Sequence, residues 1–177
     1  SRLAGLGHDV VIGTRDVVRN WMLVYAGNAL GSVATVWLTV RTNVDGMHDG
    51  AVGATAINIA AMKASLPVGV AFARGVLCNA LVCLAIWLAM GGRSVSDKIL
   101  AIVFPITAFV AMGFEHSIAN WFFLPYGLFL DQAGAVPVAG VVRNLVVVTA
   151  GNLVGGTLLV AGVYWVAYLR RERREGP

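Results

Sequence analysis

Four long runs almost free of charge decide what this chain can become. Asn20–Val40, Gly75–Gly92 and Asn144–Leu169 carry no Asp, Glu, Lys or Arg, and Leu100–Leu130 is interrupted only by Glu115 and His116. Crossing the hydrocarbon core of a bilayer as a helix takes about 20 mostly apolar residues. Hydrophobic residues make up 58% of the 177 and charged residues 12%, whereas soluble domains run nearer half apolar and a quarter charged. The expected class is an all-α membrane protein with four spans, at about 20–40, 75–92, 100–130 and 144–169, and a tail at 170–177.

The first run is too long for a signal peptide and lacks a small-residue cleavage site. The chain opens at SRLAGLGHDVV without an initiator methionine, which reads as an N-terminal truncation. Cys78 and Cys83 lie five apart on one span, where their directions diverge, so reduced thiols are expected rather than a disulfide. Arg2, Arg15, Arg19, Arg93, Lys98, Arg170, Arg171, Arg173 and Arg174 fall on one side of the spans, against Arg41, Lys63, Arg74 and Arg143 on the other. The excess of positive charge places the termini, the 170–177 tail included, in the cytoplasm of a cell-membrane protein. The net charge of +4 then reflects topology, and nothing calls for nucleic acid.

The first and last runs repeat one another. Arg19, Asn20, Val24, Ala26, Gly27, Asn28 and Gly31 match Arg143, Asn144, Val148, Ala150, Gly151, Asn152 and Gly155 at a constant offset of 124. Two spans separate the copies, so they cross in opposite directions, as in transporters built from inverted repeats with the substrate path at the repeat interface. If each copy is the third span of its unit, the ancestral layout has six spans, of which four are present. Gly27 with Gly31, and Gly151 with Gly155, allow close helix approach in lipid. Asn28 and Asn152 are the expected interhelical hydrogen-bonding groups.

Leu100–Leu130 is too long for one crossing. As a single helix it would run about 46 Å, against a hydrocarbon core of about 30 Å. The polar stretch GFEHSIAN, from Gly113 to Asn120, suggests two half-helices with non-helical backbone somewhere within 111–119. Such backbone is tolerated at that depth only inside protein or beside a water-filled cavity. A half-helix N-terminus would also turn unpaired N–H groups toward the gap, a natural anion site. The alternative is a long tilted helix whose Glu115 and His116 pair with neighbouring spans. Intramembrane ionisable residues are expensive and mark function by default; that reading is the stronger for His116, while Glu115 suits an orienting role. No zinc-ligand spacing, nucleophile–base pairing or cofactor loop appears, so neither a metal, a cofactor nor an enzyme is expected.

GFEHSIAN followed by WFFLPYG, GVLCNALVCLAIW at 75–87, GRSVSDK at 92–98 and TAGNLVGGTLLV at 149–160 resemble the formate/nitrite transporter family. Pro125-x-Gly127 is closer to its formate channel branch. The resemblance implies an aquaporin-like six-span fold, broken in spans two and five, assembled as a homopentamer with one pore per protomer. The family's first signature, a broken second span with a loop threonine, is absent from these 177 residues. By position, His116 resembles the central pore histidine, Phe109 an outer hydrophobic constriction, Asn79 a pore-adjacent asparagine and Lys63 an outer-vestibule lysine. Glu115 and Asn120 complete the candidate pathway. Ordinary packing for Phe109 and a solvated loop cation for Lys63 are the plain alternatives.

A mechanism follows from charge. Lys63 and Arg74 would concentrate a small anion at the mouth. Crossing the apolar ring at Phe109 as an ion costs several kcal/mol, which protonation largely removes. His116, with an unperturbed pKa of about 6.5, can lend a proton or hold the anion when positive. The expected function is a channel or transporter for formate, with nitrite or hydrosulfide as alternative substrates and a non-conducting structural subunit as the alternative class.

Overall fold

A computed structural model describes residues 13–163 together with 165 and 166. The expected 170–177 tail and the end of the fourth run lie outside the described residues. Six α-helices follow in order: α1 Thr14–Arg41, α2 Ala51–Ser65, α3 Val68–Gly91, α4 Val95–Ala111, α5 Ser117–Leu130 and α6 Val138–Val154. Helix α6 continues as a π-helical stretch, Gly155–Gly162. Among the described residues, three helices are long and apolar enough to cross a membrane: Thr14–Arg41, Val68–Gly91 and Val138–Val160. At 1.5 Å per residue, α4 and α5 reach only about 26 and 21 Å, too short for either to cross alone.

Several boundaries differ from the sequence expectation, each for a local reason. Helix α3 begins at Val68, immediately after Pro67, and runs on through Arg74; a single charge ended the apolar run but not the helix. Helix α4 begins before Leu100 because Ser94 and Asp97 form a capping box: the Ser94 hydroxyl accepts from the Asp97 N–H at 3.1 Å, and the Asp97 carboxylate accepts from the Ser94 N–H at 3.0 Å. These bonds, with one from the Arg93 N–H, hold the exposed Asp97 carboxyl below its ordinary value. Helix α2 was not expected at all. It follows a tight connection in which Asn43, His48, Asp49 and Gly50 take positive φ. Lys63, Arg74 and Arg143, counted above as loop charges, therefore sit on α2, α3 and α6.

The core is small and built for close approach. Ala60 and Ala64 of α2 pack with Leu124 of α5, Val141 and Leu145 of α6, and Val136. A β-carbon on Gly127 would strike Ala60, and one on Gly140 would strike the Ala64 carbonyl. Only glycine lets these backbones meet. Outside this core, large apolar side chains such as Met22, Leu23, Leu30, Met90 and Phe104 stand exposed, a surface suited to lipid or further protein. Helices α3 and α6 pack along much of their length, and that contact frames the site.

Candidate functional site

Helix α4 ends at Ala111 and α5 starts at Ser117, so the non-helical stretch is 112–116, inside the expected 111–119. Gly113 supplies the reversal with φ of +64°, a conformation that costs glycine nothing. Three N–H groups of the break find partners within the protein. The Gly113 N–H donates to the Val110 carbonyl and the Phe114 N–H to the Phe109 carbonyl, both at 3.0 Å, while the Glu115 N–H reaches the Arg74 carbonyl on α3 at 3.4 Å.

Glu115 is buried, 2% exposed, and its charge is matched. One carboxylate oxygen accepts from the Lys63 ammonium of α2 at 2.8 Å. The other accepts from the Asn120 amide at 2.7 Å and the Asn144 amide at 3.4 Å. Asn120 also donates to the Asn144 side-chain carbonyl at 2.8 Å, and Asn144 donates to the Lys63 backbone carbonyl at 2.9 Å. Removing one partner of a buried pair leaves an uncompensated charge, so this knot fixes α2, the break, α5 and α6 in one arrangement. The glutamate in the apolar run is thus held in place by one cation and two amides.

A second asparagine bridges the break itself. The Asn152 amide donates to the Gly75 carbonyl at 2.8 Å and to the Glu115 carbonyl at 3.0 Å, and its side-chain oxygen accepts from the Ser117 N–H at 2.8 Å. The His116 ring Nδ1 accepts from the Ala119 N–H at 3.3 Å. Two first-turn N–H groups of α5 are thus held by side chains, which corrects the expectation of a bare half-helix N-terminus awaiting an anion. The cap also sets the imidazole tautomer: Nδ1 is the acceptor, so in the neutral ring the proton is on Nε2. The half-buried ring lies against Phe109, centroids 6.0 Å apart and 24° from parallel.

Five of the six residues singled out in the sequence therefore gather at the break: His116 with Phe109, and Glu115 with Lys63 and Asn120. Lys63 is held in an ion pair on a helix rather than free in a loop. Asn79 stands apart on α3, donating to the Asn152 backbone carbonyl at 2.6 Å where α6 widens into its π-helical stretch. Asn144 and Asn152 do as much at the site as any of the six. The signal for them was the internal repeat. Asn144 appeared there only as a matched position, while Asn152 was expected to bond between helices and does so. Asn28 does not: its amide donates to the Val24 carbonyl of its own helix. Among the described residues, no three His, Cys, Asp or Glu side chains gather in a metal-binding group.

The sequence profile of the formate/nitrite transporter family matches residues 8–166. The chain belongs to the formate/nitrite transporter family. It is 41% identical to a probable formate transporter of Methanothermobacter thermautotrophicus, over 87% of this chain and 60% of the relative. It is 37% identical to the formate channel FocA of Escherichia coli, over 89% of this chain and 61% of that protein. A solved pentameric formate channel with formate bound superposes with a TM-score of 0.82 at 34% identity, covering 90% of this chain and 72% of that one. An FNT family ion channel gives 0.80 at 32% identity, covering 88% and 61%. The chain thus spans about three fifths of the length of the curated relatives. Membership of a transporter family, with three apolar helices of spanning length, makes this a membrane protein.

Proposed function

We propose that this chain is part of a channel or transporter for small monovalent anions, with formate as substrate and the break at 112–116 as its gate. The observation that carries the reading is His116: a half-buried imidazole that caps α5 and stacks on Phe109 at a helix break. Formate relatives and a formate-bound structural neighbour support the substrate. Nitrite and hydrosulfide, of similar size and charge, are the alternatives.

In this reading the anion reaches the break and meets the Nε2–H of His116 beside Phe109. The site gives the negative charge a donor without exposing Glu115, whose carboxylate is held by Lys63, Asn120 and Asn144. A proton passed to formate from the imidazolium form of His116 would leave the ring neutral and make a neutral acid that crosses the apolar ring more cheaply. The Asn152 clasp keeps the break from refolding into a continuous helix. We read α4 and α5 together as one crossing, giving four of six spans in an aquaporin-like inverted repeat, cytoplasmic termini and a homopentamer. The hydrogen bond between Tyr25 and Thr149, 2.8 Å long and joining residues 124 apart, supports the repeat: positions related by its offset touch, as they do beside a pseudo-two-fold axis.

Flux into liposomes tests the function. The full-length protein is expected to carry formate, with Phe109→Ala altering its rate and anion selectivity. Faster nitrite or hydrosulfide flux would reassign the substrate. No flux of any of the three from well-assembled protein would leave a structural subunit.

A further inference from the structure

The Lys63–Glu115 pair is closed on the carboxylate side and open on the ammonium side. Ala60 and Ala64 of α2 are fully buried, so the α2 backbone lies close against α5 and the long Lys63 stem runs along that helix. On α5, Asn120, Phe123 and Leu124 share one face, three and four residues apart. Leu124 packs in the core beside those alanines, Asn120 holds Glu115, and Phe123 is left against the lysine. The Lys63 ammonium stands 5.8 Å from the centre of the Phe123 ring, inside the range of a cation–π contact. The glutamate side chain is 3% exposed and the lysine side chain 18%, while Phe123 is 38% exposed. The pair is therefore reached by way of the ammonium, with the phenyl ring beside it.

The two partners hold the ammonium with very different strength. Glu115 is buried, and losing its cation would leave an uncompensated charge. A ring face attracts a cation through its quadrupole, an effect of about two- to fivefold on an equilibrium at a partly exposed site. An ammonium carries three N–H donors, and among the described residues one acceptor, a Glu115 oxygen, lies within hydrogen-bond reach at 2.8 Å. A small anion arriving at the ammonium therefore trades with the ring and not with the carboxylate. The buried pair stays shut while the exchange takes place.

We propose that Phe123 is a positioning residue of the anion pathway: its ring occupies the side of the Lys63 ammonium that an incoming anion takes, and so sets how tightly the mouth receives it. A stronger ring keeps the ammonium and weakens the anion's hold, and a weaker ring releases it. Such a partner suits passage, which needs an anion bound well enough to enter and loosely enough to leave. The inference rests on the channel reading above and adds to it a residue that acts through Lys63.

Fluorination of the ring in the full-length protein tests it, because fluorine weakens the quadrupole and leaves the shape nearly unchanged. Placing mono-, di- and trifluorophenylalanine at position 123 should lower the half-saturating formate concentration for liposome flux stepwise, by about two- to fivefold over the series. Phe123→Trp, with the stronger ring, should raise it. Phe129→Leu, at a 62% exposed position on the same helix, should leave it unchanged. With Lys63→Met and Glu115→Gln together, the fluorine series should be flat. The rise in melting temperature as formate is titrated reads the same affinity without transport. A flat series in the presence of Lys63, an equally steep one without it, or no formate-dependent stabilisation at all would each overturn the proposal. A protein whose formate affinity follows the series but which carries no flux would uphold it and sink the channel reading instead.

Discussion

Helices α1 and α6 share seven residues at one offset, yet Asn152 is 7% exposed with three tertiary bonds, while Asn28 reaches only a carbonyl in its own turn. Identical residues thus do opposite things, because one copy has α3 and the break against it and the other has an open groove. Glycine and asparagine in a membrane helix do not stabilise by themselves. They permit a contact, and the contact stabilises. That contrast can be broken or sharpened by substitution, most forcefully where charge is involved.

The largest effect belongs to the ion pair that α6 helps to hold. Lys63→Met strands the buried Glu115 carboxylate and should cost about 3–5 kcal/mol in chemical unfolding of the 177-residue chain. Lys63→Met with Glu115→Gln should recover most of that loss. Arg19→Met, at the α1 copy, should change nothing measurable in the same chain.

Next comes packing. Gly151→Val drives a side chain into the Phe72 carbonyl, which a β-carbon would already approach at 2.5 Å, and should cost about 1–3 kcal/mol or more. Gly27→Val should stay within about 0.5 kcal/mol, as changes away from packed features do. Hydrogen bonding gives a similar or smaller contrast. Asn152→Ala orphans the Ser117 N–H and removes bonds to the Gly75 and Glu115 carbonyls, costing about 1–3 kcal/mol, whereas Asn28→Ala in this chain should be near neutral. Equal losses at the two asparagines would dissolve the comparison.

The smallest effect lies outside both copies, at the start of α4. The depressed pKa of Asp97 arises first from the Ser94 N–H, then from the Ser94 hydroxyl and the Arg93 N–H. Its stabilisation is therefore fully present above its ordinary value of 3.8 and disappears as pH falls through the lower folded value. Asp97→Asn should remove that acid dependence from the stability of the α4 N-terminus, read by amide exchange.

The break was legible because two independent signals met at Gly113–Asn120: a run too long for one crossing and a polar interruption inside it. The clustering around it was less so. Lys63, Asn120 and Asn144 reach Glu115 across sequence separations of 52, 5 and 29 residues, and only the closest belongs to the motif itself. Helix α2 was missed because AVGATAINIAAMKAS is short and carries a lysine, so it resembled neither a span nor a loop with strong turn chemistry beyond Gly50. The start of α3 was misplaced by Arg74, whose charge hid a helix already under way from Pro67. The availability of the α5 N-terminus was misjudged because a sequence shows where donors arise, not which side chains reach them first.

In the proposed function transport turns on His116, and its capping role makes the ring's chemistry separable from the fold. Asparagine is a strong N-cap residue, so His116→Asn should keep an acceptor for the Ala119 N–H while removing the titrating ring. His116→Phe would lose both. The decisive measurement is formate flux into liposomes between about pH 5 and 8, where an imidazole titrates, for full-length wild-type and His116→Asn proteins of equal assembly. The expected result is that the variant still conducts but with a flattened pH profile. A His116→Asn protein that assembles, conducts and keeps the wild-type pH profile would contradict proton handling at the break.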